Sequence, residues 1–281
     1  MTRNSDSEIV IDKLVDIDVS KESWNIRVQV VIIWKQTYKN NPNMFSCLNM
    51  ILMDQENTCN NKKNLIIAFQ ALLDEGVVRQ ITNFGMARNE GDYMLVVHKH
   101  KINHYKTTII HVSTPFIDRI DPFNFVSFHD LTTKIFDTRV AFDFIGQVVS
   151  TEPMRVIKDN ARETRLMSMV AQDLRKMQAA LWDGLALKLN NYISEHQNEN
   201  APVIILLHMA KLKTWVGQPQ VDNCLFGSRL HINDDMHHIS EYKEEIVQIL
   251  CRNHCILKIG EGTVNMWLQV GCPNNDFVET K

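Results

Sequence analysis

The stretch RLMSMVAQDLRKMQAALWDGLALKL (165–189) contains two alternating apolar segments and then a helical pattern. Apolar residues alternate over 165–171 and again over 176–182, which is typical of two β-strands joined by a short polar turn. The helical spacing begins at Gly184, and Trp182 stands where the second strand ends. The stretch therefore predicts a β-hairpin followed at once by a helix, with a large indole at the junction.

The rest of the second half extends this pattern on both sides. FDFIGQVVS (142–150) indicates a strand before the hairpin. PVIILLHMAKLKTW (202–215) and QVDNCLF (220–226) indicate two strands after the helix, which we expect over 184–196. The predicted order is three strands, one helix and two strands.

The first half shows a similar order of elements, as a repeat of pattern and not of identity. The predicted elements are strands at WNIRVQVVIIWK (24–35) and FSCLNMILMD (45–54), a helix at NLIIAFQALLDEG (64–76), and strands at 77–86 and 92–102. The helix ends at a glycine, which is a common residue just after a helix.

This repeat divides the chain into parts. We expect a first domain over 8–115, a linker over 116–131, a second domain over 132–240 and a C-terminal tail over 241–281. Two short-stranded domains, each with one inserted helix, favour a mainly β fold made of two small barrels. Two unrelated α+β domains are the alternative.

Length and composition are those of a globular chain with two domains. The 281 residues, 44% of them apolar and 22% charged, suffice for two separate cores. The net charge of −3 argues against a protein that binds by bulk electrostatics. Cations are nevertheless concentrated locally, since Lys99, Lys101 and Lys106 lie within 93–117, a segment without any acid.

Cysteine usage and the N-terminus indicate the compartment. The six cysteines follow no paired pattern, which favours a reducing compartment over a secreted disulfide framework. The N-terminus MTRNSDSEIV lacks the pattern of a signal peptide, and no stretch reaches the roughly 18 apolar residues of a membrane span. We expect a soluble protein, cytosolic or nuclear, with no membrane partner.

Two tryptophans stand at predicted strand ends beside polar turns. Trp182 ends one strand, and Trp215 ends another that also carries Lys211 and Lys213. Aromatic rings beside cations on a barrel face suit single-stranded nucleic acid, because bases stack on the rings and phosphates meet the cations. The alternative is that both tryptophans fill the core.

Two histidine and cysteine patterns raise the question of a metal site. On a strand, His98 and His100 share one face and could ligate a metal together, but a solvated basic face is the alternative that we favour. CRNHC (251–255), together with Cys272, could supply thiolates and an imidazole to zinc, although the spacing is irregular. We predict no metal and no cofactor.

Enzymatic motifs are missing from the sequence. There is no phosphate-binding glycine loop, no nucleophile elbow and no zinc-protease motif. The two carboxylates of DRIDP (118–122) lie in the predicted linker with nothing to orient them. We predict a protein without catalytic residues.

The second half resembles the second DNA-binding domain of the replication protein A large subunit. The residues that carry the resemblance are RLMSMVAQDLRKMQAALWDGLALKL, VIILLHMAKLKTWVGQPQV and LHIND. In the first half, WNIRVQVVIIWK, LNMILMD and EGVVRQITNFG resemble the first such domain of plant-type members. The resemblance spans about 20–235 and implies two tandem OB-folds, five-stranded Greek-key barrels that bind single-stranded DNA in a basic channel.

The resemblance also implies site residues. Trp182 and Trp215 correspond to stacking aromatics, and Lys211 corresponds to a phosphate contact. The full predicted DNA-binding set is Phe84, Lys99, Lys101, Arg165, Trp182, Lys211, Lys213 and Trp215.

The sequence departs from the family in the first barrel and at the C-terminus. QENTCNNKKN (55–64) leads directly into the predicted helix, so we expect the third strand of the first barrel to be lost. Leu48 stands where a stacking aromatic is expected. The family's zinc ribbon and assembly helix do not fit within 240–281, which argues against assembly with other replication protein A subunits.

From these observations we expect a nuclear protein that binds single-stranded DNA in replication, repair or recombination. A protein-interaction adaptor of a telomere or repair complex is one alternative. A pair of RNA-binding OB-folds is the other, and the sequence does not separate it from the DNA-binding hypothesis.

Overall fold

A computed structural model describes residues 10–257. The breaks lie at 22, 39–40, 56–57, 64–71, 92, 119, 134–135, 160–161, 174, 200 and 225. At 41–43, 58–63, 159, 162, 247 and 249–257 the backbone alone is described. No helix in this part of the chain is both long and apolar enough to cross a membrane.

The first barrel is a sheet of seven strands. They are β1 (Asn25–Tyr38), β2 (Asn41–Met53), β3 (Thr58–Lys63), β4 (Val78–Thr82), β5 (Gly85–Arg88), β6 (His100–His104) and β7 (Ile109–Val112). Their order is β5-β6-β3-β2-β1-β4-β7, and only the β3–β6 pair is parallel. β4 pairs with β1, and β5, which follows β4 almost directly along the chain, pairs with β6. The continuous β4–β5 segment therefore joins both sides of the sheet and closes the barrel.

The second barrel repeats this topology. Its strands are β8 (Phe142–Thr151), β9 (Arg155–Asp159), β10 (Arg162–Gln172), β11 (Lys176–Trp182), β12 (Ile204–Trp215), β13 (Gln218–Asn223) and β14 (Arg229–Ile232). The ring closes through the parallel pair β11–β13 and the antiparallel pairs β13–β12, β12–β8, β8–β10 and β10–β11. The mainly β fold with two tandem OB-fold barrels is therefore confirmed.

Within the described residues, three helices and one helical turn accompany the barrels. They are a 3-10 turn (Leu14–Asp16), α1 (Phe128–Thr132), α2 (Gly184–Glu195) and α3 (His237–Leu257). The inserted helix predicted in the second barrel is α2, whose Ala186 and Leu189 pack into the core. Most of the helix predicted at 64–76 lies outside the described residues.

The prediction that the first barrel lacks its third strand is wrong. β3 pairs antiparallel with β2, from Leu48 to Met53, and parallel with β6. Its sequence, TCNNKK, has no apolar alternation, so the pairing on both edges and not the side-chain pattern specifies this strand. Conversely, most of the strand predicted at 92–102 is irregular, and regular pairing begins only at His100.

A left-handed residue interrupts one strand of each barrel at the same register. Met209 in β12 has φ 57°, and Asn83 between β4 and β5 has φ 55°. In the second barrel, inward residues change from Leu207 before the interruption to Ala210 after it. In the first barrel they change from Ile81 to Phe84. We call each interruption the bulge of its barrel, and each bulge changes which alternate residues face the core.

The carboxylate of Asp143 holds the bulge of the second barrel. Its Oδ1 accepts the Met209 N–H at 2.8 Å and lies 2.7 Å from Nδ1 of His208. Its Oδ2 accepts the N–H of Asn124, in the segment between the barrels, at 2.6 Å. Both Asp143 and His208 are buried. A buried carboxylate thus joins β8, the bulge and the connecting segment.

The two barrels contact each other through apolar and polar groups. An inter-barrel cluster contains Ile32 and Ile51 from the first barrel together with Ala141 and Met209. The Tyr93 hydroxyl donates to the Ala210 carbonyl at 3.0 Å across this contact. Burial raises the pKa of the Tyr93 phenol well above its ordinary value, so the hydroxyl stays protonated as a donor.

A second set of polar contacts lies beside this cluster. The Nη2 group of Arg229 donates to the Ile33 carbonyl at 2.8 Å and to Glu75 Oε1 at 2.6 Å. The ring of Trp34 covers Gly227, where an added Cβ would lie 3.5 Å from the indole. The barrels therefore meet in a defined orientation.

We predict that Asp143→Ala lowers the free energy of unfolding by about 3–5 kcal/mol, because it leaves His208 and the Met209 N–H buried without an acceptor and also removes the acceptor of the Asn124 N–H. Urea denaturation measures this change. Asp137→Ala is the control, since it removes the carboxylate of an exposed pair with Arg139. Equal stability of the two variants would show that the Asp143 network does not hold the fold.

Candidate nucleic-acid interface

The outer face of the second barrel joins residues from five neighbouring strands. Inward residues of these strands, such as Met167, Leu181 and Val221, are in the core, so their neighbours along each strand face outward. The register places Arg155 opposite Leu166 and Leu166 opposite Trp182. It then places Ala180 beside Asp222 and Asp222 opposite Lys211. We call this face, which crosses β9, β10, β11, β13 and β12, the outer face.

Two hydrogen bonds, one from the edge of the indole and one from the backbone, hold Trp182 on the outer face. Its indole N–H donates to Asp222 Oδ2 at 3.1 Å, and its backbone N–H donates to Asn223 Oδ1 at 2.7 Å. The side chain is half-buried. The hydrogen bond fixes the orientation of the ring while part of the ring stays accessible, which is the arrangement that a stacking platform needs.

Asp222 is the centre of this arrangement. Its carboxylate is fully buried, yet the ammonium of Lys213 lies 2.7 Å from Oδ2 and the Gln220 amide donates to Oδ1 at 2.7 Å. Lys213 Nζ also lies 5.7 Å from the centroid of the Trp182 ring, within the range of a cation–π contact. One carboxylate therefore positions both the ring and a cation.

A cavity of about 380 Å³ brings three of the predicted residues together. Trp182, Lys211 and Lys213 line it, along with Thr164 and Phe226. Burial, and then the neighbouring Lys213, lower the pKa of Lys211 from its ordinary value. Among the described residues no carboxylate lies within ion-pair distance of Lys211, so its charge is available to a ligand.

Trp215 lies at the tip of the β12–β13 hairpin, outside this cavity. It is 68% exposed, and the next residue, Val216, is 85% exposed. Lys211, Lys213 and Trp215 are spaced by two along one strand, so all three are on the outer face. An exposed ring here contributes little to the core, which makes the core alternative untenable for Trp215.

Arg165 differs from its predicted role. Its guanidinium bonds Glu163 Oε1 at 2.9 Å, and Thr164, not Arg165, lines the cavity. Along β10, Arg165 lies two residues before the inward residue Met167, so strand alternation does not place it on the outer face. Arg155 does lie on the outer face, where it contacts Glu152 and the Ser168 hydroxyl, both at 3.3 Å.

The residues predicted in the first barrel do not join the cavity at Trp182. Phe84 is only 3% exposed and packs in the core, so its predicted DNA-binding role is corrected to a packing role. The bulge at Asn83 turns it inward. Lys99 lines a separate cavity of about 650 Å³ between the barrels, and Lys101 lies half-buried on β6.

The histidines do not form a metal site within the described part of the chain. Both ring nitrogens of His98 face backbone carbonyls, that of His100 at 2.7 Å and that of Leu14 at 2.9 Å. No group of three metal-ligating side chains is found among the described residues. The side chains of 251–255, and all of Cys272, lie outside them.

The sequence did not single out Asp222 as a site residue. Asp222 lies in QVDNCLF, and strand alternation places it on the same face as Gln220. That alternation was a usable signal for a polar group beside Trp182.

Known proteins are similar to this chain in part of its sequence and in its fold. A family model described as a domain of unknown function, DUF223, matches residues 15–134. No curated protein matches the chain by sequence. A solved replication protein A heterotrimer bound to single-stranded DNA is similar over 85% of this chain, with a TM-score of 0.59 and 16% identity. The chain spans 55% of the matched chain's length, and at this identity the similarity shows the fold alone.

Two further structures are more distant. The p202 HIN1 domain in complex with a 12-mer of double-stranded DNA is similar over 79% of this chain and 100% of its own, with TM-score 0.42 and 12% identity. A murine DNA-binding protein bound with double-stranded DNA is similar over 74% of this chain and 97% of its own, with TM-score 0.39 and 8% identity.

The two tryptophans should differ in their effect on stability. We predict that Trp182→Ala lowers the free energy of unfolding by about 1–3 kcal/mol, because the buried Asp222 carboxylate loses a donor. Trp215→Ala should change it by less than about 0.5 kcal/mol, because the ring is exposed. Thermal and urea denaturation of both variants measure the difference. A large loss for Trp215→Ala would place that ring in the core.

Proposed function

We propose that this chain binds single-stranded DNA on the outer face of the second barrel, without catalysis. One observation carries the proposal: the buried Asp222 fixes the edge of Trp182, with Lys211, Lys213 and Trp215 on the same face. A fixed ring beside cations suits an unpaired strand, since every base has a π-face and every linkage a phosphate.

The geometry favours a single strand over a duplex. Stacking on Trp182 or Trp215 requires a base that is not already stacked and paired, and a duplex offers none within its length. The cavity beside Trp182 contains both apolar and cationic groups, so it suits a base together with its phosphate. Stacking contributes about 1–3 kcal/mol per base and depends little on sequence.

The wider role is part of the same proposal. The resemblance of the sequence to the replication protein A large subunit supports action in DNA replication, repair or recombination in the nucleus. The shared fold with one chain of that heterotrimer is compatible with this role. The outer face is built from this chain's own residues, so binding there requires no other subunit.

Lys211 should contribute to the salt dependence of binding. We predict that Lys211→Ala lowers the slope of log K against log salt by about 0.7, the value for one phosphate contact on a single strand. The affinity should fall alike for all sequences, because a phosphate contact carries no base information. Fluorescence anisotropy of labelled oligo-dT and of a labelled mixed-sequence oligonucleotide, each over a range of salt concentrations, measures both.

Lys21→Ala is the matched control, because it removes the same charge from an exposed ion pair with Asp12 in the first barrel. An unchanged slope for Lys211→Ala would exclude Lys211 from the interface. Parallel titrations with oligo-rU and with duplex DNA separate the alternatives: tighter binding of oligo-rU would favour an RNA-binding protein. Absence of binding to all three would favour the protein-interaction adaptor.

A further inference from the structure

Tyr105 forms an exposed aromatic surface on the first barrel. Its ring is 53% exposed and lies over Gly85, where an added Cβ would overlap the Cε2, Cζ and hydroxyl atoms. Only glycine leaves room for a ring in this position. One part of the ring thus packs on the backbone of β5 and the rest faces solvent.

The turn that carries Tyr105 is fastened to the bulge of the first barrel. The Tyr105 N–H donates to Thr108 Oγ1 at 2.8 Å, and that hydroxyl donates to the Asn83 carbonyl at 2.9 Å. The Asn83 amide in turn donates to the Thr107 carbonyl at 2.9 Å. Thr108 is buried. The backbone at Tyr105 is therefore held in place before any ligand arrives.

The ring extends the outward-facing row of β6, which contains Lys101. Ile102 and His104 are buried, so Lys101 and Asn103 face outward, and Tyr105 is the next residue in this alternation. Lys106, directly after Tyr105, is exposed. The segment 93–117 contains no acid, so no carboxylate of its own offsets these charges.

The equivalent face of the second barrel also carries cations and an aromatic ring, but on β12, the neighbour of the strand that corresponds to β6. Counting from the two bulges, Gly85 and Ala87 occupy the register positions of Lys211 and Lys213. In the second barrel β12 carries the cations and the ring, and β13 lies beside it with Asp222.

In the first barrel the two neighbouring strands, β5 and β6, exchange these roles. On this face β6 carries the cation and the ring, and β5 beside it presents only the small residues Gly85 and Ala87. Asn103 takes the register position of Asp222, which removes a negative charge from this face. Both barrels therefore place a ring next to cations on the same face.

We propose that Tyr105, seated on Gly85, is a stacking platform for an unpaired base, with Lys101 and Lys106 contacting the adjoining phosphates. This gives the first barrel its own binding site for single-stranded nucleic acid, although neither Phe84 nor Leu48 is available for stacking. The inference rests on the proposed function, because it assigns a second segment of the same strand to the first barrel.

The test compares Tyr105→Ala with Tyr105→Phe in the full chain. The probe is fluorescent oligo-dT of about 30 nucleotides, long enough for two barrels, since one OB-fold occupies about 4–16 nucleotides. Tyr105→Ala should weaken binding about 5- to 150-fold, the range expected for one stacked base. Tyr105→Phe should bind like the unmodified protein, because its ring can still stack.

Gly85→Ala tests the seating of the ring without removing it. The added methyl group displaces Tyr105, so this variant should also weaken binding. Val112→Ala is the matched control, because Val112 is 74% exposed on β7 of the same barrel but lies away from this face. Thermal denaturation of each variant shows that it is folded, and the Ala and Phe variants of Tyr105 decide the matter if Gly85→Ala does not fold.

A direct readout uses oligo-dT that contains 5-iodouracil, which crosslinks on irradiation to an aromatic ring stacked against it. A crosslink in the peptide that contains Tyr105 supports the inference. Normal affinity of Tyr105→Ala, with Trp182→Ala weakened, would overturn the inference and leave the proposed function standing. If the unmodified protein fails to bind oligo-dT, the proposed function and the inference both fail.

Discussion

The hydrogen bond from the Met209 N–H to the buried Asp143 carboxylate holds the conformation on which the outer face depends. Before the bulge, inward residues of β12 are Ile205 and Leu207, and after it they are Ala210 and Leu212. If Met209 continued the regular alternation instead of forming a bulge, Lys211 and Lys213 would face the core. Two lysines cannot be buried there without partners, so the bulge is what allows one strand to serve both the core and the surface.

Strand alternation made much of the second barrel predictable from the sequence. Lys211, Lys213 and Trp215 follow an i, i+2, i+4 pattern that survives in the structure because all three come after the bulge. Phe84 was mispredicted because the left-handed residue before it, an asparagine, gives no unambiguous signal of a bulge in a single sequence. β3 was missed for a different reason: its polar sequence is specified by long-range pairing, which local patterns do not encode.

Carboxylates of the protein itself pair with several of the cations on the outer face. Lys213 is paired with Asp222, and Arg155 is paired with Glu152. Much of the cationic content predicted from the sequence therefore orients groups inside the protein instead of attracting an anion from a distance. A face of this kind relies on a fixed ring and a few available charges, which agrees with the net charge of −3 for the whole chain.

Met209 links the outer face to the contact between the barrels. Its backbone makes the bulge that turns Lys211 outward, while its side chain packs in the inter-barrel cluster with Ile32 and Ile51. Its carbonyl also accepts hydrogen bonds from the Ser228 hydroxyl at 2.7 Å and the Cys224 thiol at 3.1 Å. Met209 therefore both shapes the outer face and packs against the first barrel. Two faces held in a fixed relation spare a bound strand the entropy of ordering them, which is how preorganisation increases affinity without adding a contact.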